Sequence, residues 1–235
     1  MIKTQKLQIE HIPSIVWGEP AERVFLAVHG NLSHKEDTVI QLLAEEAALR
    51  GVQVISFDLP EHGERTGEGT PCKVQFCVRD LRKVMDYAKS RWSQINLFAC
   101  SMGAYFSLLE YQTEPLKQAL FLSPVVDMQR IIENMMTWFE VSEEKLKDLG
   151  QVQTPIGQTL YWDYYCYVKE NPIEHWGCET SILYGANDTL CERDTINAFT
   201  QRFGCRLDVL NNGEHFFHTP EQLSAFAAWL RQNLH

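Results

Sequence analysis

The stretch Ile95-Asn96-Leu97-Phe98-Ala99-Cys100-Ser101-Met102-Gly103 decides how this chain is read. Residues 95–99 have the length and apolar character of a buried strand, and residues 102–111 follow a helical period. Ser101 therefore falls on a sharp strand-to-helix turn, where its side chain is exposed at the carboxyl edge of a sheet. Such a turn needs small residues two before and two after the serine. Ala99 and Gly103 supply them, Ala99 standing where the usual G-x-S-x-G pattern has glycine. The helix N-terminus adds free N–H groups and the positive end of a dipole. The competing reading is an ordinary N-cap serine. Cys100 fails as a rival nucleophile on register, since its flanking positions are Phe98 and Met102.

On either side, residues 24–28, 52–57 and 119–122 read as further strands, and residues 35–50 and 73–91 as helices. Residues 7–10 and 12–17 form a predicted edge hairpin. Beyond a helical, polar block at residues 125–176 with no clear strand, the alternation resumes. It runs through strand 180–184, helix 193–203, strand 206–210 and helix 220–234. This order predicts an α/β fold, a mostly parallel, doubly wound sheet with helices on both faces. It is one domain, residues 1–235, with residues 125–176 inserted in it, because both halves of the sheet are needed to close one core.

Composition narrows the function. The 235 residues carry a formal net charge of −10 and seven cysteines. An acidic surface repels phosphate backbones and anionic lipid, so the expectation is no nucleic acid and no membrane partner. No run of about 18 apolar residues occurs, and residues 1–10 lack an apolar signal core. The expected setting is therefore a cytoplasm with reduced thiols. His215 and His218, three residues apart, are a weak metal signal. No metal and no cofactor is expected.

Three more loops follow predicted strands. His29-Gly30-Asn31 ends the strand at 24–28. Its Asn31 amide, with that of Met102, is placed to hold an oxyanion, and His29 either braces the loop or touches substrate. Tyr184-Gly185-Ala186-Asn187-Asp188 puts an aspartate at the same edge, to orient an imidazole or to serve a turn or cap. Asn212-Gly213-Glu214-His215-Phe216 offers His215 as a general base, with His218 as its competitor. The order Ser101, Asp188, His215, each after its own strand, is what makes the three readings support one another.

Together these residues resemble the α/β-hydrolase-fold serine hydrolases, esterase- and lipase-like members with a helical cap. The resemblance extends over nearly the whole chain. It rests on His29-Gly30-Asn31, Asp58-Leu59-Pro60-Glu61-His62-Gly63, Ala99-x-Ser101-x-Gly103, Gly185-x-x-Asp188 and Gly213-x-His215-Phe216. The second stretch is similar to the family's D-x-x-G-H-G loop, with Glu61 where glycine is common. The resemblance implies Ser101 as nucleophile, Asp188 as acid, His215 as base, and the Asn31 and Met102 amides as oxyanion donors. Asp127 is the position of the acid in some members. Dehalogenases and epoxide hydrolases of this fold use an aspartate nucleophile, against which Ser101 argues. The cap would be residues 125–176.

That block is rich in aromatics, Trp138-Phe139 and the run 161–167. Most would pack the cap onto the body, and Trp138, Tyr161, Trp162 and Tyr165 are the candidates for substrate contact. The expected function is hydrolysis of small acyl or aromatic carboxylic esters through an acyl-enzyme, with a small-molecule ester or acyl partner. The alternatives are thioester, amide or carbon–carbon substrates of the same triad, or a non-catalytic ligand-binding protein on this scaffold. A homo-oligomer stays open.

Overall fold

The computed structural model describes residues 2–235. Its centre is an eight-stranded sheet built from β1 (Thr4–Ile9), β2 (Ile12–Trp17), β3 (Arg23–Val28), β4 (Gln53–Phe57), β5 (Gln94–Cys100), β6 (Ala119–Leu122), β9 (Thr180–Gly185) and β10 (Arg206–Leu210). They lie in the order β1-β2-β4-β3-β5-β6-β9-β10. The six from β4 to β10 run parallel, and the β1–β2 hairpin joins β4 antiparallel.

The central strands read as continuous apolar runs because both of their faces are buried. Side chains alternate along each strand. Phe25, Ala27, Phe98 and Cys100 face α1 (Thr38–Ala48) and α8 (Pro220–Asn233), where Ile40, Leu43, Phe226 and Trp229 meet them. Val24, Leu26, Val28, Leu97 and Ala99 face the other way. There they meet α2 (Val74–Lys89), α3 (Met102–Glu110) and α7 (Arg193–Phe203) through Leu81, Val84, Ala104 and Ile196. The chain moves from β3 to β4, then returns across β3 to β5. Connections therefore diverge at the carboxyl ends of β3 and β5, which opens a crevice there.

Between β6 and β9 lie α4 (Met128–Trp138), α5 (Glu143–Leu149) and α6 (Trp162–Glu170), and also a small antiparallel hairpin of β7 (Gln151–Gln153) and β8 (Thr159–Tyr161). The hairpin corrects the expectation of no strand in this block. Three-residue strands are too short to show a period, although Pro155 and Gly157 mark their turn. The first helix also begins later than its period suggests. Asp37 caps it, and Lys35 is drawn into the body instead. Lys35 Nζ lies 2.6 Å from Asp58 Oδ2, with both side chains almost wholly buried. That ion pair ties the loop after β3 to the loop after β4.

Candidate active site

Ser101 has φ 49° and ψ −125°, a left-handed conformation that costs a non-glycine residue on the order of 1–3 kcal/mol. Its surroundings enforce it. The Ser101 amide donates to Leu122 O at 3.2 Å, and Ser101 O accepts from Ala104 at 3.0 Å and Val125 at 3.0 Å. Gly103 lets α3 start against β3, since a Cβ there would stand 2.3 Å from His29 O. Ser101 Oγ makes no capping bond to the helix. It sits 2.8 Å from His215 Nε2 instead.

His215 is held from behind. Its Nδ1 lies 2.7 Å from Asp188 Oδ2, and a carboxylate oxygen only accepts, so Nδ1 carries the proton and Nε2 offers its lone pair to Ser101. The Asp188 side chain is fully buried. Its other oxygen accepts from the amides of Leu190 at 2.8 Å and Cys191 at 2.9 Å. Asp188 thus serves both its turn and the imidazole. The two loops interlock through glycine: a Cβ on Gly185 would meet Gly213 and Glu214 backbone at 2.5 Å. The Asn187 amide donates to Gly213 O at 2.8 Å. His218 is turned away, with Nδ1 on Phe216 O at 2.9 Å and its ring stacked on Phe216. Asp127 caps α4 by accepting from the Arg130 amide.

The loop after β3 closes the other side. A Cβ on Gly30 would stand 3.0 Å from Ser101 Cβ, so the loop backbone lies directly against the serine. The amides of Asn31 and Met102 have no protein acceptor among the described residues. His29 was a candidate for substrate contact, and the structure corrects this. Its side chain is 0% exposed, Nδ1 faces Gly30 O at 2.7 Å, and Nε2 accepts from the Leu59 amide at 3.0 Å. Burial pulls its pKa down to about 4, so it is a neutral brace between two loops. Lys35, which braces the same loops through Asp58, escaped the sequence reading. It lies in the polar run His34-Lys35-Glu36-Asp37, which looks like an ordinary exposed helix start.

The aromatic candidates separate. Tyr165 is buried, and its hydroxyl reaches Glu133 at 3.1 Å and Glu143 at 3.4 Å, so it packs α6 against α4 and α5 rather than meeting substrate. Trp138 is 55% exposed at the end of α4. Tyr161 lies under Lys73 Nζ, 4.1 Å from the ring centre, and Trp162 packs on Tyr165. A groove of about 560 Å³ runs between α3, α4, α6 and α7, with Tyr105, Val126, Val168 and Phe199 in its walls. Ser101 is not part of that lining. Two exposed apolar side chains flank the serine's loops, Leu32 beside Asn31 and Phe216 beside His215.

Asp188, Cys191 and His215 each bring a ligand-type atom within 4.8 Å of the others. A metal would have to displace the His215–Asp188 hydrogen bond. It would also have to ionise Cys191, whose buried thiol is pushed well above its ordinary value. The donor set suits the hydrogen-bonded relay better than an ion.

Sheet order, strained serine turn and hydrogen-bonded Ser–His–Asp row define a hydrolase of the α/β-hydrolase fold. The family described as serine aminopeptidase, S33, matches residues 19–159, and the chain belongs to it. The match includes Ser101 and the loop at 29–31 but stops before Asp188 and His215. Among solved structures, Est1E from Butyrivibrio proteoclasticus, with ferulic acid bound, is 18% identical at a TM-score of 0.78, covering 97% of this chain and 96% of that one. A putative hydrolase from Agrobacterium vitis S4 is 17% identical at 0.78, covering 100% of both chains. Mouse alpha/beta hydrolase domain-containing protein 10 is 13% identical at 0.78, covering 98% and 97%. At such identities the likeness speaks for the fold. A comparison with curated proteins gives no match. Among the described residues, no helix is long and apolar enough to cross a membrane.

Proposed function

We propose that the chain is a carboxylic-ester hydrolase acting on small acyl or aromatic esters. One arrangement carries the reading: Ser101 Oγ and His215 Nε2 at 2.8 Å, beside two unengaged amides. Ser101 attacks the carbonyl as His215 takes its proton, and Asp188 holds the imidazolium that forms. The Asn31 and Met102 amides receive the oxyanion, a contribution of roughly 10²–10³ in rate for each donor. His215 then protonates the leaving alcohol, and water releases the acyl group by the reverse sequence. Leu32 and Phe216 offer apolar edges for the substrate's hydrocarbon part, and residues 125–176 are its cap. No cofactor enters these steps. A cytoplasmic setting accords with seven unpaired thiols.

The test is a p-nitrophenyl ester series, from acetyl to long acyl, with fluorophosphonate labelling of Ser101. Ser101→Ala should lose about 10⁶ in kcat while remaining folded. Turnover surviving in that variant would overturn the nucleophile. A Ser101 that labels while no ester is cleaved would move the reading to amides, which the family's description favours, with aminoacyl anilides as the next substrates.

A further inference from the structure

Two thiols outside the Ser101 relay meet beside the loop after β4. Cys72 immediately precedes Lys73, the N-cap of α2, and Cys77 sits one turn into that helix. These are the positions at which a hydrophobic staple brings two side chains together. Here the staple consists of two sulfurs 3.6 Å apart. The Cys72 amide donates to Glu61 Oε2 at 2.7 Å, which fixes the loop. Cys72 is half-buried and Cys77 wholly buried.

The charges around the pair differ for its two members. His62 Nδ1 lies 2.8 Å from Pro60 O and its Nε2 3.2 Å from Asn31 Oδ1. His62 thereby links the loop after β4 to the loop after β3 beside the two thiols. Burial works against a charge on His62, and Cys72, the Pro60 carbonyl and Glu61 together more than offset it, leaving His62 above its ordinary value. The hydrogen bond with Cys77, and then His62, hold Cys72 below its ordinary value, against burial and Glu61. Cys77 is pushed up by burial and by Cys72; Asp80 adds to this and Arg65 opposes it. Burial, with smaller contributions from both thiols, raises Tyr164 of α6 well above its ordinary value. The other five cysteines are all raised by burial.

We propose that Cys72 and Cys77 form a reversible thiol-modification site for disulfide oxidants of the glutathione-disulfide class. The Cys72 thiolate attacks one sulfur of glutathione disulfide, forming a mixed disulfide and expelling one glutathione thiolate. Cys77 then attacks the Cys72 sulfur, closing the Cys72–Cys77 bond. The second glutathione thiolate leaves, and the Cys77 proton goes to solvent. The two cysteines are oxidised by two electrons and one glutathione disulfide is reduced to two thiols. A disulfide bond is about 2.05 Å long, so closure asks the loop before α2 to move by roughly 1.5 Å. The site is one side chain away from Asn31, through His62.

The experiment uses the folded full-length chain. Iodoacetamide at pH 6.5 should alkylate Cys72 at least tenfold faster than Cys166, Cys178 or Cys205. After incubation with glutathione disulfide, trypsin should yield peptides 66–73 and 74–79 as one crosslinked species that reducing agent separates. Cys77→Ala should stop at a glutathione adduct on Cys72. Slow Cys72 alkylation, with the two peptides recovered uncrosslinked, would overturn the proposal. So would a wild type that also stops at the glutathione adduct, since Cys77 would then resolve nothing.

Discussion

The strand-end loops and the segment between β6 and β9 carry equally suggestive side chains, yet only the first were readable. The loops are pinned by backbone: Gly103 against His29 O, Gly185 against Gly213, and Gly30 against Ser101. Such contacts tolerate one residue type, so they leave a mark in the sequence. The inserted segment is held by side-chain packing, with Met128, Ile131, Tyr165 and Val168 in a shared core. Many apolar residues satisfy that demand, so its aromatics do not reveal which of them face substrate.

That contrast can be broken from either side. After Ser101→Ala, the largest effect belongs to Asp188→Asn. The amide oxygen can keep the Leu190 and Cys191 bonds, but its NH₂ favours the wrong imidazole tautomer. We expect about 10⁴ lost from kcat with the unfolding midpoint nearly unchanged; near-normal turnover would move the acid elsewhere. Gly103→Ala should come next. Its Cβ cannot share space with His29 O, so α3 must shift, at about 1–3 kcal/mol in urea unfolding and a further loss of kcat. An unaffected variant would show that the turn is not pinned as described.

His29 gives a signed pH effect. Its pKa falls from 6.5 in the unfolded chain to about 4 when folded. Between those values the unfolded state binds more protons, so stability rises with pH across that window and is lost as pH falls through it. The full contribution is on the order of 3 kcal/mol. His29→Gln should be less stable at pH 7 and show a flatter stability profile between pH 6.5 and 4. An equal slope in both proteins would remove His29 as the buried brace. The smallest change is expected at Tyr165→Phe, about 1 kcal/mol of stability with KM unaltered across an ester series. A changed KM would return Tyr165 to the substrate.

Most strands and helices were legible because both periods are strong in a sheet covered on two sides. The β7–β8 hairpin was not, for lack of length. His29 stayed open between brace and substrate contact because a histidine after a strand looks the same from sequence whether it faces a ligand or another loop's amide. Cys72 and Cys77 looked like two of seven unremarkable thiols until the helix start brought their sulfurs together.

Legible along the chain were the order of the main-sheet strands with their helices, the strained turn at Ser101, and the loops that hold Asp188 and His215. Those features depend on local period, on glycine and on small-residue spacing, all of which are written along the chain. That His29 and Lys35 are braces, that Tyr165 is packing, and that Cys72 meets Cys77 beside His62 came from the packed fold alone. Each of these depends on which distant groups share a buried, low-dielectric space. That is a property of the packed sheet and its crossovers, and no stretch of neighbouring residues records it.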